Sequence, residues 1–510
     1  MKKILYIPLD ERPCNYHFPS DLANGTDFTI VKPGLDLMGK KKEPGNVDQL
    51  WKWLLEEGKD ADGAILSLDT LLYGGIIPSR LHSLTKADCV NRLLGLKKLK
   101  EINPGLQLFA FNLIMRCPQY SSSDEEPDYY EEWGKEIFQQ GYIKHRKQLQ
   151  IATKEEEIRL KQIEEVLPSQ VLDDYLSRRA INIEVNKAVI QYAKDKTIDF
   201  LIIPQDDSSP YGLTAMDQQN VREQIAILGT ELNTYMYPGA DEVGCTLLAR
   251  MINQVKNQRP LVYPHFSSIH GPFVIPLYED RPLYESLKYQ ILAAGGLLAT
   301  SVSEADIVLL VNTPGETMME AVSQKNPLVS YNVFRNIVEL TEYADYVAKI
   351  LKKPCVVADI AFANGADLSL LKLLKEKGLL FELAGYAGWN TSSNTLGTCI
   401  SQGMIYQIYG NRKEHKDFLS LRYVEDGGYC GYVRKLVTEN MLPEMGFNYF
   451  EVDGQKGRVA KIVKEQLEKF IRDHLDDANY YVFIDECFMP WNRMFEVGLR
   501  THVQIKEFYS

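Results

Sequence analysis

Short apolar runs alternate with helical stretches along most of the chain. The runs are rich in Val, Ile, Leu and aromatic residues, which is typical of strands buried in a sheet. A polar or Gly/Pro-marked turn and then a segment with helical spacing follow most of them. This alternation predicts an α/β fold with a mostly parallel sheet. The clearest predicted strands are Ile4–Leu9, Phe28–Val31, Ala64–Leu68, Leu106–Ile114, Phe200–Pro204, Thr234–Tyr237, Leu261–Tyr263, Ile307–Val311, Cys355–Ile360 and Leu380–Leu383.

Two segments depart from this alternation. Residues 129–196 are rich in Glu, Lys, Gln and Leu at helical spacing and predict a helical insertion of two or three helices. Residues 411–510 predict an α+β appendage with an antiparallel C-terminal piece. We therefore expect an N-terminal α/β domain over 1–255, a second α/β domain or the completion of a barrel over 256–410, and the appendage.

Two architectures fit this pattern. Residues 1–410 form either one (β/α)-barrel-like unit or two Rossmann-like, doubly wound halves that divide near residue 256. Polar strand ends continue past residue 350, as one converging ring would require, and this favours the barrel. In either architecture, ligands would bind at the carboxyl ends of the parallel strands.

Charged residues follow five successive predicted strands. A single Asp or Ser at such a position is commonly the N-cap of the next helix. Five in succession, with arginines and adjacent acid pairs among them, favour a shared polar site. The strand ends supply Asp10 and Arg12, Asp69 and Arg80, Arg116, Asp206 and Asp207, and Asp241 and Glu242.

The segment DFLIIPQDDSSPYG gives the leading catalytic candidates. An apolar strand ends there in two adjacent carboxylates, and like charges at neighbouring positions raise one pKa. Such a pair suits a general acid beside an ionised partner. The alternative is that one of them caps the helix that begins near Thr214. The candidates are Asp206 and Asp207, with Asp69, Asp241 and Glu242 as alternatives for the second acid.

Candidate binding residues come from the arginines and from the segment FELAGYAGWNTSSNTLGT. A guanidinium group binds carboxylate or phosphate through two parallel hydrogen bonds. An exposed Trp beside Asn and Thr is typical of a carbohydrate platform, and the alternative is a packed Trp and a capped helix. The candidate substrate-binding residues are Asp10, Arg12, Arg80, Arg116, Trp389, Asn390 and Asn394.

The charge and composition of the chain indicate which kinds of molecule it is not expected to bind and where it is expected to be located. The 510 residues include 57 basic and 69 acidic side chains, a net charge of −12, which disfavours nucleic acid and anionic membranes. No run reaches the roughly 18 apolar residues of a membrane span, and the first apolar stretch ends too soon for a signal peptide. The eight cysteines are scattered without a CxxC pair, so we expect reduced thiols and a cytoplasmic location.

Several familiar catalytic motifs are missing from the sequence. It contains no GxxxxGK[ST] loop, no GxGxxG after the first strand, no GxSxG elbow and no HExxH. We therefore assign no cofactor and no metal ligands. The alternative is a Mg²⁺ or Ca²⁺ site, since these ions take oxygen ligands and Asp10, Asp69, Asp206 and Asp241 would supply them.

Several long strings of the sequence resemble one protein family over nearly the whole chain. They are YIPLDERPCN, LSLDTLLYGGIIPSR, NLIMRCPQYSSSDEEPDYY, IIPQDDSSPYGLTAMDQ, YPGADEVGCTLLAR, ADIAFANGAD and YAGWNTSSNTLGT. The family is the bacterial domain of unknown function 4127. The resemblance implies a bacterial protein of a single family, and it transfers no catalytic residues.

Three functions fit these residues. The first is a hydrolase that acts on a carbohydrate, a glycosidase-like enzyme with the carboxylate pair at a strand end. The second is a non-catalytic protein that binds a sugar-like small molecule. The third is a metal-dependent hydrolase. The expected partner is a small molecule of the carbohydrate class.

Overall fold

The computed structural model describes residues 1–506, and the chain divides into two compact units. Unit 1 contains Met1–Glu11, Phe28–Val243 and Tyr278–Asp280, and unit 2 contains Arg12–Asp27, Gly244–Leu277 and the chain from Arg281 onward. The last four residues of the predicted appendage, 507–510, lie outside the described residues.

Fifteen strands are present in the described residues. They are β1 (Lys2–Ile7), β2 (Phe28–Val31), β3 (Gly63–Ser67), β4 (Gln107–Phe111), β5 (Phe200–Gln205), β6 (Thr234–Pro238), β7 (Leu261–Phe266), β8 (Leu297–Leu298), β9 (Ile307–Asn312), β10 (Met319–Glu320), β11 (Cys355–Asp359), β12 (Phe362–Ala363), β13 (Gly385–Ala387), β14 (Tyr480–Phe488) and β15 (Gly498–Ile505).

Twenty α-helices connect and cover these strands within residues 1–506. They are α1 (Pro13–Tyr16), α2 (Phe18–Ala23), α3 (Val47–Glu57), α4 (Leu68–Tyr73), α5 (Pro78–Leu81), α6 (Lys86–Ile102), α7 (Tyr130–Gln148), α8 (Lys154–Val166), α9 (Ser169–Lys194), α10 (Leu213–Leu228), α11 (Val243–Val255), α12 (Leu283–Ala293), α13 (Ser330–Val333), α14 (Ile337–Asp345), α15 (Leu368–Glu376), α16 (Ser392–Tyr409), α17 (Lys413–Arg422), α18 (Arg434–Asn440), α19 (Leu442–Met445) and α20 (Arg458–Phe470). Short 3₁₀ helices span Gly58–Asp60, Gly271–Phe273, Ala321–Ser323 and Pro490–Asn492, and π-helical segments span Tyr346–Leu351, Tyr423–Val433 and Ile471–Leu475.

Unit 1 is built on a six-stranded sheet in the order β2-β1-β3-β4-β5-β6, and all its strand pairs are parallel. Strands β3 and β5 are buried along their whole length, as their continuous apolar sequences predict. Parallel strands bring their carboxyl ends to one edge of the sheet. Asp10, Asp69, Asp206 and Asp241 follow β1, β3, β5 and β6 at that edge.

The predicted helical insertion is confirmed. Helices α7, α8 and α9 occupy residues 130–194, between β4 and β5, which remain neighbours in the sheet. Thr153 and Glu156 form a capping box at the start of α8, which stops α7 and α8 from merging into one helix. Ile137 of α7 and Ile163 of α8 are fully buried in a shared apolar cluster. The insertion therefore has its own packing and leaves the sheet order unchanged.

Unit 2 contains a five-stranded parallel sheet in the order β13-β11-β9-β7-β8. Numbered from its own first strand, this order is 2-1-3-4-5, which is also the order of the first five strands of unit 1. In such sheets the winding direction reverses beside the first strand, and ligands bind at that point. The reversal falls between β1 and β3 in unit 1 and between β7 and β9 in unit 2.

The arrangement of the strands in two sheets distinguishes between the predicted barrel and the two doubly wound halves. We expected a barrel, but the described strands form two separate parallel sheets, so the doubly wound alternative holds. Polar strand ends continue past residue 350 because a second sheet repeats the topology of the first. The longest segment of unit 1 ends at Val243, the first residue of α11, and Tyr278–Asp280 also belongs to unit 1.

The C-terminal segment is α+β, as predicted. Helices α17 to α20 are followed by the antiparallel pair β14–β15. This segment clusters within unit 2, where Asp417 of α17 accepts a hydrogen bond from the Val503 amide of β15 at 2.8 Å. Among residues 1–506, none of the helices has both the length and the apolar character needed to cross a bilayer.

Candidate functional site

Six charged side chains meet at the carboxyl edge of the unit 1 sheet, and we call them the acid–arginine cluster. They come from α5, from the chain that follows β4, from the loop before α7 and from the end of β5. A parallel bridge joins Ile114, which follows β4, to Gln205, the last residue of β5, and brings the two chain segments together. The cluster consists of Arg80, Arg116, Glu125, Glu126, Asp206 and Asp207.

Two buried guanidinium groups hold this cluster together. Arg80 donates through Nη1 to Glu125 Oε2 at 3.1 Å and to Glu126 Oε1 at 3.2 Å, and through Nη2 to Asp206 Oδ2 at 2.6 Å. Arg116 lies 3.0 Å from Glu125 Oε2 and donates to Glu126 Oε1 at 2.7 Å. We expected these arginines to bind an acidic group of a ligand. The structure instead pairs both with carboxylates of the chain itself.

Two opposing effects act on the pKa of Asp207. Arg116 Nη1 donates to Asp207 Oδ2 at 3.0 Å, which by itself would favour the carboxylate. Burial nevertheless raises the pKa of Asp207 to about 7, and the neighbouring charge of Asp206 acts in the same direction. The cluster has four carboxyl groups and only two guanidinium groups, so a proton on Asp207 reduces its excess negative charge.

The backbone at Asp207 is also unusual. Its φ is +43°, in the left-handed region that non-glycine residues rarely adopt. Residues held in such conformations concentrate at functional sites. Helix α10 begins at Leu213 after Gly212, without a side-chain cap, so neither aspartate serves as its N-cap. The capping alternative therefore fails for Asp206 and Asp207.

Asp69 is fully buried and joins the ends of two neighbouring strands. Its Oδ2 accepts from the Leu113 amide at 3.0 Å, and its Oδ1 accepts from Asn112 Nδ2 at 3.2 Å. Ser67, rather than Asp69, caps helix α4. Burial raises the pKa of Asp69 to about 7 despite these hydrogen bonds, and the charge of Asp206 adds to the shift. Asp69 thus belongs to the same electrostatic environment as the cluster.

The raised pKa of Asp69 predicts a pH dependence of stability. A carboxyl group whose pKa rises from 3.8 to about 7 on folding contributes stability in full below about pH 4. The contribution, on the order of 4 kcal/mol, is lost as the pH rises to about 7. Asp69→Asn cannot ionise, so the free energy of unfolding of the wild type should fall relative to that of this variant between pH 4 and pH 7. Urea unfolding of both proteins across this range measures the difference, and parallel curves would contradict the expectation.

Three other predicted acids lie at the same sheet edge. Asp10, Asp241 and Glu242 are buried, and Glu242 Oε2 accepts a hydrogen bond from the Ala240 amide at 2.8 Å. Within residues 1–506, no three His, Cys, Asp or Glu side chains are grouped so that they could hold a metal ion. The predicted oxygen-ligand set of Asp10, Asp69, Asp206 and Asp241 therefore does not assemble as one site.

The remaining candidates belong to unit 2, where several of them line a narrow pocket, here called the Trp389 pocket. Its cavity volume is only about 20 Å³, which is enough for ordered water. Arg12, Trp389 and Asn390 were all predicted to bind substrate, and here they share one pocket. The lining residues are Arg12, Pro13, Cys14, Asn364, Trp389, Asn390, Glu425, Cys430, Arg434, Phe495, Glu496 and Val497.

The prediction that Trp389 forms an exposed carbohydrate platform is wrong. Trp389 is only 7% exposed, its Nε1 donates to Thr398 Oγ1 at 3.2 Å, and its ring packs edge-on against Phe18. Asn394 is buried in the first turn of α16, which Thr391 caps. The alternative of a packed Trp and a capped helix therefore holds for this loop, because the apolar ring of Trp389 is more stable in the core than in water. Only a part of the side chain lines the pocket.

Sequence reasoning missed four of the carboxyl groups at these two sites. Glu125 and Glu126 lie in the quoted string SSSDEEPDYY but follow no strand end, so nothing in the pattern separated them from a solvated loop. Glu425 belongs to the π-helical segment Tyr423–Val433, and Glu496 lies just before β15. Their only sequence signal was an acidic residue in a largely apolar context, as in RYVEDGGYC.

The fold and the cluster define a two-unit, doubly wound α/β protein with paired carboxyl groups at the carboxyl edge of its first sheet. The chain belongs to the family described as a protein of unknown function (DUF4127), whose model matches residues 4–500. This confirms the resemblance drawn from the sequence strings. A comparison with curated proteins gives no significant match.

Proposed function

We propose that the protein is a hydrolase that acts on a carbohydrate and uses Asp207 and Asp206 as its acid–base pair. The observation that carries this proposal is the contrast between the two carboxyl groups. Burial raises the pKa of Asp207 to about 7, while the Arg80 guanidinium binds the Asp206 carboxylate at 2.6 Å. Neighbouring carboxyl groups whose environments differ in this way serve as proton donor and charged partner in glycoside hydrolysis.

Accessibility supports the same assignment. The side chains of Asp206 and Asp207 are 13% and 24% exposed, whereas the arginines behind them are almost completely buried. A ligand can therefore reach the carboxyl groups, and the guanidinium groups fix their orientation from the protein side. Such support of a reacting group by buried partners is what precise proton transfer requires.

A screen for turnover tests the proposal. We expect the full-length protein to hydrolyse at least one member of a panel of nitrophenyl glycosides, and Asp207→Asn to remove most of that hydrolysis. Asp174→Asn is the matched control, because the Asp174 side chain is 45% exposed and pairs with Arg178 in the same unit. Hydrolysis that survives in the variant lacking both Asp206 and Asp207 carboxyl groups would refute the proposal.

One observation favours a second candidate, a sugar-binding protein without turnover. Both aspartates are ion-paired with arginine, an arrangement that also suits a rigid binding wall. This candidate predicts that sugars bind to the wild type without being cleaved, and that Asp207→Asn changes only affinity.

A further inference from the structure

We propose that Glu125 and Glu126 are positioning residues of the acid–arginine cluster, which oppose the charge of its two guanidinium groups so that Asp207 can serve as the proton donor. This role rests on the proposed function, because that function makes Asp207 the donor. It adds two residues that act on the donor through the arginines. The contacts that support it all lie within unit 1.

Each glutamate bridges the two arginines of the cluster. Glu126 Oε1 accepts hydrogen bonds from Arg116 Nε at 2.7 Å and from Arg80 Nη1 at 3.2 Å. Glu125 Oε2 accepts from Arg80 Nη1 at 3.1 Å and lies 3.0 Å from Arg116 Nη2. Arg80 Nη2 and Arg116 Nη1 are the atoms that bind the two aspartates. Because a guanidinium group is planar and rigid, the glutamates set which of its N–H groups points to each aspartate.

The charge of the glutamates changes the effect of the arginines on Asp207. A guanidinium group favours the ionised form of a carboxyl group beside it, so two arginines alone would keep both aspartates ionised. Burial raises the pKa of Asp207, the two arginines act against this shift, and the charge of Glu125 supports it. Glu126 lies 2.7 Å from Arg116 and opposes the same guanidinium charge. A proton donor beside two arginines therefore needs these additional carboxylates.

Several groups besides the glutamates can influence the titration of Asp207. Those that face it within unit 1 are Asp206, Arg80, Arg116, Tyr120 and Glu125. The charge of Arg116 lowers the pKa of Tyr120, but burial and the neighbouring carboxylates outweigh this effect and raise it, so the hydroxyl is neutral where Asp207 titrates. Asp206 belongs to the proposed acid pair. The glutamates are therefore the negative charges that can be removed without altering the pair itself.

Glu126 occupies its position at a cost to stability. Its side chain is 1% exposed, and its Oε2 has no hydrogen-bond partner among the described residues, whereas Oε1 accepts from both arginines. A buried polar atom without a partner destabilises the folded state, so such atoms are rare in native proteins. A carboxylate kept only for stability would be expected to bind through both oxygens. A role in setting the charge of the site explains why a carboxylate is present here.

The loop that carries the glutamates is fixed on both sides. Ser123 donates to Glu131 Oε2 through its amide at 2.7 Å and through its Oγ at 3.0 Å, and Asp124 pairs with Lys41. After the glutamates, the Tyr130 hydroxyl donates to the Pro118 carbonyl at 2.9 Å. These contacts hold the glutamates against the arginines, as a supporting role for a reacting group requires.

Titration of Asp207 in the full-length chain tests the proposal without a substrate. Aspartate-selective ¹³C NMR follows the carboxyl carbons, and Asp207→Asn identifies the resonance of Asp207. We expect Glu126→Gln to lower the titration midpoint of Asp207 by about 1–2 pH units, because the amide keeps the shape of the side chain but no longer opposes the charge of Arg116. Glu184→Gln, which changes an exposed ion pair with Lys86 in the same unit, should leave the midpoint unchanged.

Glu125→Gln is a second variant, which decides the question if Glu126→Gln does not fold. The Glu125 side chain is 17% exposed, and its charge acts on Asp207 directly, so the midpoint should fall in this variant as well. An unchanged midpoint in either folded variant would overturn the proposal, even if a glycoside is hydrolysed.

With an active glycoside, the pH–rate profile separates a positioning role from a structural one. The alkaline limb of Glu126→Gln should move to lower pH together with the midpoint of Asp207. Below that midpoint the donor is protonated again, so the rate should return close to that of the wild type. A rate that is lower by the same factor at every pH would show that Glu126 is only structural. If no glycoside is hydrolysed, the proposed function fails, and a fall of the midpoint still shows that the glutamates control the proton on Asp207.

Discussion

Asp207→Asn should lower the turnover of a hydrolysed glycoside by about 10²–10⁴-fold while leaving the fold intact. The amide keeps the size of the carboxyl group and its contact with Arg116, but it cannot deliver a proton as an acid. The pKa of Asp207 near 7 also sets the direction of the pH profile. Because the donor must be protonated, the rate should fall as the pH rises through about 7. Initial rates between pH 4 and pH 9 measure both effects.

A substitution at Asp206 provides the comparison for the Asp207→Asn experiment. Asp206→Asn removes the negative charge that helps to raise the pKa of Asp207, so the alkaline limb of the profile should move to lower pH. A purely structural pair would not show this displacement. If an active substrate is found and both variants keep wild-type rates, the pair is structural, and Asp69 and Glu242 are the next residues to test.

Arg422→Met should produce the largest loss of stability in unit 2, about 3–5 kcal/mol. Arg422 is fully buried, donates to Glu425 and, at 3.1 Å, to Asp426 Oδ1, and lies 4.1 Å over the Phe18 ring. Methionine retains much of the packing but leaves two buried carboxyl groups without their cation. Denaturant unfolding followed by near-UV circular dichroism measures the loss.

The pH dependence and a control on the same helix test the cause. Burial raises the pKa of Asp426 to about 7, so both carboxyl groups are more easily neutralised at low pH, and the loss should be smaller at pH 5 than at pH 8. Lys413→Met removes an exposed ion pair with Asp417 on the same helix and should change stability by less than about 1 kcal/mol. Equal effects of the two substitutions would contradict the electrostatic explanation.

The secondary structure was predictable because its signals are local. The apolar runs at 64–68 and 200–204 became β3 and β5, and the charged helical spacing at 129–196 became the insertion. The number of sheets was not predictable in this way, because strand order depends on contacts between distant segments. The same reason explains why Arg12–Asp27 belongs to unit 2 although it immediately follows β1 and its loop.

The candidate site was predictable only in part. Strand ends identified Arg116, Asp206 and Asp207, because parallel topology gathers whatever follows the strands. The same reasoning could not identify Glu126, which lies in an irregular loop but binds both arginines of the cluster. Nor could it show that these arginines are occupied by the chain itself, since pairing depends on three-dimensional distances.

The discontinuous composition of unit 2 has a consequence for synthesis on the ribosome. Phe18 of α2 packs against Trp389 and Phe418, which emerge roughly 20 to 80 seconds later at usual rates of translation. Most of unit 1 is complete long before then, whereas the apolar surface of α2 must wait for its partners. The nascent chain therefore exposes an early apolar segment through most of its elongation. If translation stops before residue 389, the truncated product keeps this N-terminal segment without either aromatic partner.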